Sequence, residues 1–356
     1  MEMRAAVAVA CAALALGAGC KRKQVAEEEP RPLVPIAALA AIPADATVVV
    51  GIDVQRLADS RLVARSVDQM LLRDPELSAR LERLARDCGV DVTRQVRTVH
   101  LALGPKLRGG PAQPSLLVAT GELTEPALTR CLQAGVGAGG GDLTVKDAGG
   151  RSLYKLTEGR RTLFFAFGKA DTVVIGPSEA WVRAAIGGEP KVETSALLGP
   201  LLTRVDRAAA VWTVASMDED LGTSLAKITK GKIGAPPRAL HGALDPADGL
   251  RAEIAFVMAG EADADALVGF ARGELALAAL AAQGMGLGTL VAKVETERKG
   301  AEAHLRVKLS DAEVKEVLAA IDRGQPTGQD AQPAPDAGVP SPPPPAPDAA
   351  GTPTQP

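Results

Sequence analysis

The chain has 356 residues, 46% of them apolar but only 2% aromatic, with a formal net charge of -3. All of that charge sits in the tail after Arg323 (Asp330, Asp336 and Asp348, with no basic residue), so the body from Lys21 to Arg323 is neutral. A neutral body excludes the clustered Lys and Arg that nucleic acid demands, and the length allows one to three domains.

The chain starts Met1-Glu2-Met3-Arg4, continues through an apolar run from Ala5 to Leu16, and reaches Gly17-Ala18-Gly19-Cys20 followed by Lys21-Arg22-Lys23. A short charged head, an apolar core and a small-residue junction predict a secretory signal over 1–20. The run is shorter than the roughly 20 apolar residues a membrane span needs. The Gly-Ala-Gly-Cys junction resembles the lipobox of bacterial lipoproteins. That resemblance implies cleavage before Cys20, diacylation of its thiol and a membrane partner reached through that lipid. Two or more acyl chains give a durable anchor. By analogy with lipoprotein sorting, Lys21 favours the outer membrane.

Cys11 leaves with the signal and Cys20 takes lipid, so Cys88 and Cys131 remain. In an oxidising envelope the two can pair; the other reading is two buried free thiols. No metal is expected, since two distant Cys and three scattered His make no ligand set.

Residues 21–45, with prolines at 30, 32, 35 and 43, read as a flexible tether. Thr47 to Val54 (TVVVGIDV) is rich in β-branched residues and predicts a strand. Val63, Val67, Met70 and Leu71 fall at helical spacing. Pro75 opens a second helix with Leu77, Leu81 and Leu84 on one face, ending near Cys88-Gly89. Arg94 to Leu103 and Ser115 to Thr120 read as strands, and Thr124 to Gln133 as a helix. Residues 135–141 read as a glycine loop. Four short strands follow up to Ile175, and Ser178 caps a helix to Ile186.

From about residue 208 the programme starts again. Arg97 to Leu103 (RTVHLAL) lines up with Arg238 to Leu244 (RALHGAL), placing His100 opposite His241, and Gly121-Glu122 lines up with Gly260-Glu261. The second copy offers strands near 209–215, 238–244, 250–259, 289–298 and 301–309. It has a long helix over 262–283 and a last helix with Val314, Val317, Leu318 and Ile321 on one stripe. The expectation is an α+β fold: two tandem homologous modules, 46–190 and 191–323, each an antiparallel sheet with helices packed on one face. Residues 324–356 are proline-rich and read as a disordered tail.

No residue set stands out as catalytic, and no cofactor motif is found. There is no Gly-x-Ser-x-Gly elbow and no His-Glu-x-x-His helix. The glycine loops 135–141 and 284–288 follow helices, whereas a phosphate loop follows a strand and opens a helix. Asp218-Glu219-Asp220 reads as a helix start. His100 and His241 read as structural, and His304 as solvent-facing. Trp181 and Trp212 read as core, and Phe165 and Phe167 share a strand face opposite Phe164. The Ile42-Pro43-Ala44-Asp45-Ala46 turn before a Val-Val-Val-Gly-Ile-Asp strand resembles uncharacterised exported bacterial lipoproteins, which implies no known activity. The expected role is a non-enzymatic envelope lipoprotein that binds or scaffolds another envelope component, an envelope protein among the candidates. The alternatives are a small-molecule or peptide binder with its site in the groove between the modules and, third, a hydrolase.

Overall fold

The computed structural model describes residues 36, 38–89, 91–106, 113–139, 141–168, 171–217, 222, 227, 229, 231, 233, 235–284 and 286–324. The signal, Cys20, the proline-rich part of the tether, the Asp218-Glu219-Asp220 cluster and the tail lie outside the described residues.

Twelve strands are described: β1 Val48–Asp53, β2 Val96–Leu103, β3 Ser115–Gly121, β4 Asp142–Asp147, β5 Ser152–Glu158, β6 Arg161–Phe167, β7 Thr172–Gly176, β8 Val211–Ser216, β9 Ala239–Asp245, β10 Leu250–Val257, β11 Glu295–Lys299 and β12 Glu302–Leu309. They form one sheet in the order β11-β12-β10-β9-β8-β1-β2-β3-β7-β6-β5-β4. Neighbours pair antiparallel throughout.

This corrects the expectation of two tandem modules. The α+β mixture holds, but β1 and β8 pair in register from Val48↔Ala215 to Ile52↔Val211, so no boundary divides the sheet. The largest buried cluster joins Val49, Val118 and Val174 to Val192, Trp212 and Val214. The expected border at 190/191 is itself tied down: Ala44 N donates to Pro190 O and Val192 N donates to Ile42 O. The physical reason lies in the strand composition. TVVVGIDV and VWTVAS carry apolar side chains on both faces and a full set of backbone donors and acceptors. Two separate sheets would leave each as a bare edge; pairing them satisfies both ladders.

Helices lie on both faces, not one. On the first face Val49, Ala102, Leu116, Val118 and Val174 pack under the helix Glu179–Ile186 and the stretches around Ile36–Ile42 and Val192–Val205. This face is sealed. Ser178 caps the helix start, and Lys191 donates to Ala185 O at its end. The second face carries two separate covers. Leu128 and Leu132 of the helix Glu125–Gly139 pack with Phe165, Phe167 and Tyr154 at one end. At the other, the helix Glu261–Gln283 packs Leu267 and Val268 with Phe256 and Ala303. There too the helix Asp311–Gly324 packs Val314 beside Leu309. Ser310 and Glu313 cap each other's backbone N–H at its start, a reciprocal box.

Local departures from expectation have local causes. The stretch 135–139 continues the helix from Glu125, and 288–291 is a helical turn before β11 rather than strand. Glycine tolerates both states, so periodicity was blind there. Trp181 and Trp212 are buried as expected, and Phe165 and Phe167 face away from Phe164. Gly51 makes room for Trp212. A Cβ there would sit 2.1 Å from the indole ring. Gly104 does the same for Trp181, at 2.3 Å.

Two outcomes follow. Gly51→Val should cost about 3 kcal/mol or more by overpacking, read as a lower urea midpoint with unchanged slope; Trp212→Leu in the same chain should recover part of it. Cys131 is disulfide-bonded, and its helix packs against Pro75–Cys88. Peptide mapping should find Cys88 as its partner, and Cys131→Ser should cost about 2–4 kcal/mol.

Candidate functional site

Between the two helical covers the second face is uncovered among the described residues. Its floor is built by β2, β1, β8, β9 and β10, whose outward side chains line up in cross-strand rows. One row runs Leu101, Val50, Thr213, Gly242, Ile254. Another runs Val99, Ile52, Val211, Leu244, Ala252. Leu103, Val48, Ala215 and Leu240 form a third. Leu101 and Leu103 are 39% and 38% exposed, and Val48, Val50, Ile52, Val211, Leu240, Leu244 and Ile254 are only partly buried. None of these nine belongs to the four buried clusters or packs against them. On the same strands the opposite side chains, Val49, Ala102, Trp212 and Val214, are buried.

An antiparallel sheet that turns one face to water carries polar residues there. This one carries Val, Ile and Leu, with Thr213 the sole hydroxyl in the first row. A contiguous apolar patch of this kind marks an interaction surface. Where Gly242 lacks a side chain the floor dips into a cavity of about 130 Å³, lined by Val211, Thr213, Leu244 and Ile254 among others. That is far below the several hundred Å³ typical of a small-molecule site. A larger groove of about 470 Å³ lies near Arg251, Lys293, Arg306 and Lys308, with Glu253 and Glu295 also on its walls.

A polar cluster lies on the sealed face. Glu302 is its centre. Arg204 Nη1 donates to Glu302 Oε1 at 2.5 Å, His304 Nε2 lies 3.1 Å from Oε2, and His241 Nε2 lies 3.5 Å from the same oxygen. The last contact is in ion-pair range but lacks hydrogen-bond alignment. His304 Nδ1 reaches Glu253 Oε1 at 2.9 Å, and Arg306 Nε reaches that oxygen at 3.0 Å. Burial pushes both carboxyls up. For Glu302 the Arg204 bond and the His241 charge outweigh it, and for Glu253 the His304 and Arg306 bonds do, so both end below the ordinary carboxylate range. Burial lowers His241 more than Glu302 raises it.

His304 was expected to face solvent; it is 6% exposed, because the chain around Arg204 folds over it. His100 is far from this cluster in the sheet, edge-on to Trp212 with ring centroids 5.7 Å apart, and burial lowers its pKa. The cluster joins the 199–205 stretch to β12 and offers no nucleophile beside a base. Among the described residues no three or more His, Cys, Asp or Glu are arranged to hold a metal ion. No described helix is long and apolar enough to cross a membrane.

The sequence did not single out the trough, although its signal was present. The apolar run Val48-Val49-Val50 of β1 asks for cover on both faces, and the described residues supply it fully on one.

No family model matches the chain, and no curated protein matches it. A crystal structure of TP0453 (crystal form I) aligns with a TM-score of 0.46 at 10% sequence identity, over 83% of this chain and 98% of that one. A likeness this slight carries neither fold nor function.

His100 and His241, two of the three buried histidines, set a pH dependence. Their folded pKa values lie below the ordinary 6.5, so below pH 6.5 the unfolded chain binds protons that the folded chain refuses. Stability is full above that value and falls as pH drops through it. The thermal midpoint should therefore decline from pH 7.5 to 5.5, and His100→Leu should flatten that decline. A midpoint that rises on acidification would contradict the assignment.

Proposed function

We propose that this protein is an envelope lipoprotein, held to a membrane by lipid on Cys20, that docks another envelope protein on the apolar trough of its sheet. It acts by binding, without catalysis. The observation that carries the reading is the set of partly exposed Leu, Val and Ile across five central strands, where an open antiparallel face calls for polar residues.

The place of the first described residue is compatible with it. Ile36 is fully buried on the sealed face, where a Cβ on Gly168 would stand 2.3 Å from its own Cβ. The first described residue therefore lies on the face opposite the trough. The shallow cavity at Gly242 disfavours a deeply enclosed small molecule, the alternative occupant. A protein surface fills a wide, shallow trough better than a compact ligand does.

Two measurements test it. Metabolic labelling with palmitate should mark the wild type and miss Cys20→Ala; equal labelling refutes the anchor. Cross-linking in envelope membranes should capture a partner with the wild type. Leu101→Lys with Leu103→Lys should lose most of that capture while shifting stability by about 0.5 kcal/mol each or less, as substitutions at exposed positions do. Capture that survives the double variant refutes docking on the trough.

A further inference from the structure

We propose that the chain pairs with a second copy of itself along β4, joining two sheets edge to edge. The two ends of the sheet are unlike. At one end β11 reads Glu295-Thr296-Glu297-Arg298-Lys299, and its charges are engaged: Arg306 with Glu297, and Arg298 with Glu261 and Asp265. That is a guarded edge. At the other end β4 reads Asp142-Leu143-Thr144-Val145-Lys146-Asp147, pairs with β5 alone among the described strands, and leaves Val145 54% exposed.

The sequence of β4 is complementary to itself. A two-fold axis through Thr144, perpendicular to the sheet, sets two copies antiparallel with each face preserved. In that register Asp142 stands opposite the partner's Lys146, twice over. Leu143 stands opposite the partner's Val145, also twice, and Thr144 meets its own copy. Opposite charges, apolar pairs and Thr–Thr pairs are the favourable cross-strand neighbours. The apolar pairs fall on the face that carries Tyr154 and Leu156, and the charged pairs on the face that carries Leu153 and Lys155. In the single chain Lys146 has, among the described residues, a long contact, 3.9 Å from Glu179, to give up. Moving the axis to Val145 sets Leu143 against Asp147 and Thr144 against Lys146, losing both matches. The same operation on β11, with the axis through Glu297, sets Glu295 against Lys299 twice, but it also sets Glu297 against Glu297 at the axis, which repels, and its charges are already engaged within the chain. A closed isologous pair results, since only the β4 edge pairs with itself without a like-charge clash.

The test uses the full chain in detergent and in membranes. Residues directly opposite across an antiparallel pair have Cα atoms about 4.5–5.5 Å apart, within disulfide reach. Thr144→Cys should therefore form a cross-linked species of twice the mass under mild oxidation, and Leu143→Cys should not. Asp142→Lys should move the dimerisation midpoint in sedimentation to at least ~10-fold higher concentration by placing like charges opposite one another. Adding Lys146→Asp to it should restore the midpoint. Equal cross-linking at positions 143 and 144, or a monomeric wild type at every concentration, overturns the proposal.

Discussion

The pairing of β1 with β8 is the contact on which the rest depends. It is the seam between the earlier and later parts of the chain, running from Val48↔Ala215 to Ile52↔Val211. On one side of it, Trp212 lies across Gly51 and the sealed core closes over both. On the other side, Val50 and Thr213 form the floor of the trough. One ladder therefore sets the core and the open surface together. A side chain larger than hydrogen at position 51 disturbs the seam, the indole and the floor at once.

The two faces of that seam have opposite fates for a simple geometric reason. Side chains alternate along a strand, so an apolar run such as Val48-Val49-Val50 must find cover on both sides of the sheet. The chain provides the cover on one side from its own Ile36–Ile42, 179–186 and 192–205 stretches. On the other side the helices described in the buried clusters pack toward the two ends of the sheet. The remaining apolar strip is what a partner can bury. The buried Glu302–His241–His304 cluster sits away from this strip and binds the 199–205 stretch to β12. Its carboxylates are compensated by Arg204 and Arg306, so it reads as a latch rather than a reactive centre.

Much of the local structure was legible in the residues. The β-branched run of β1, the cap at Ser178, the proline that opens the helix at 75 and the facing of Phe165 and Phe167 all follow from short-range rules. The assembly of those pieces was not. The likeness of Arg97–Leu103 to Arg238–Leu244 suggested two separate modules, and the structure puts both stretches into one sheet, as β2 and β9, two strands either side of the seam. Strand patterning records which side chains want burial but not which strand a given edge will meet. His304 was misplaced for a related reason. Alternation put it on the polar face of β12, and only the distant Arg204 stretch makes that face an interior. The trough went unseen because it is defined by missing cover, a property of the whole fold.

The most direct measurement is carbene footprinting of the protein in its native envelope and again after purification. The account predicts that Leu101, Leu103 and Val50 label strongly in the purified protein and are protected in the envelope, while Val145 and Leu277 report separately on other surfaces. Equal labelling of the three trough residues in both states would contradict it.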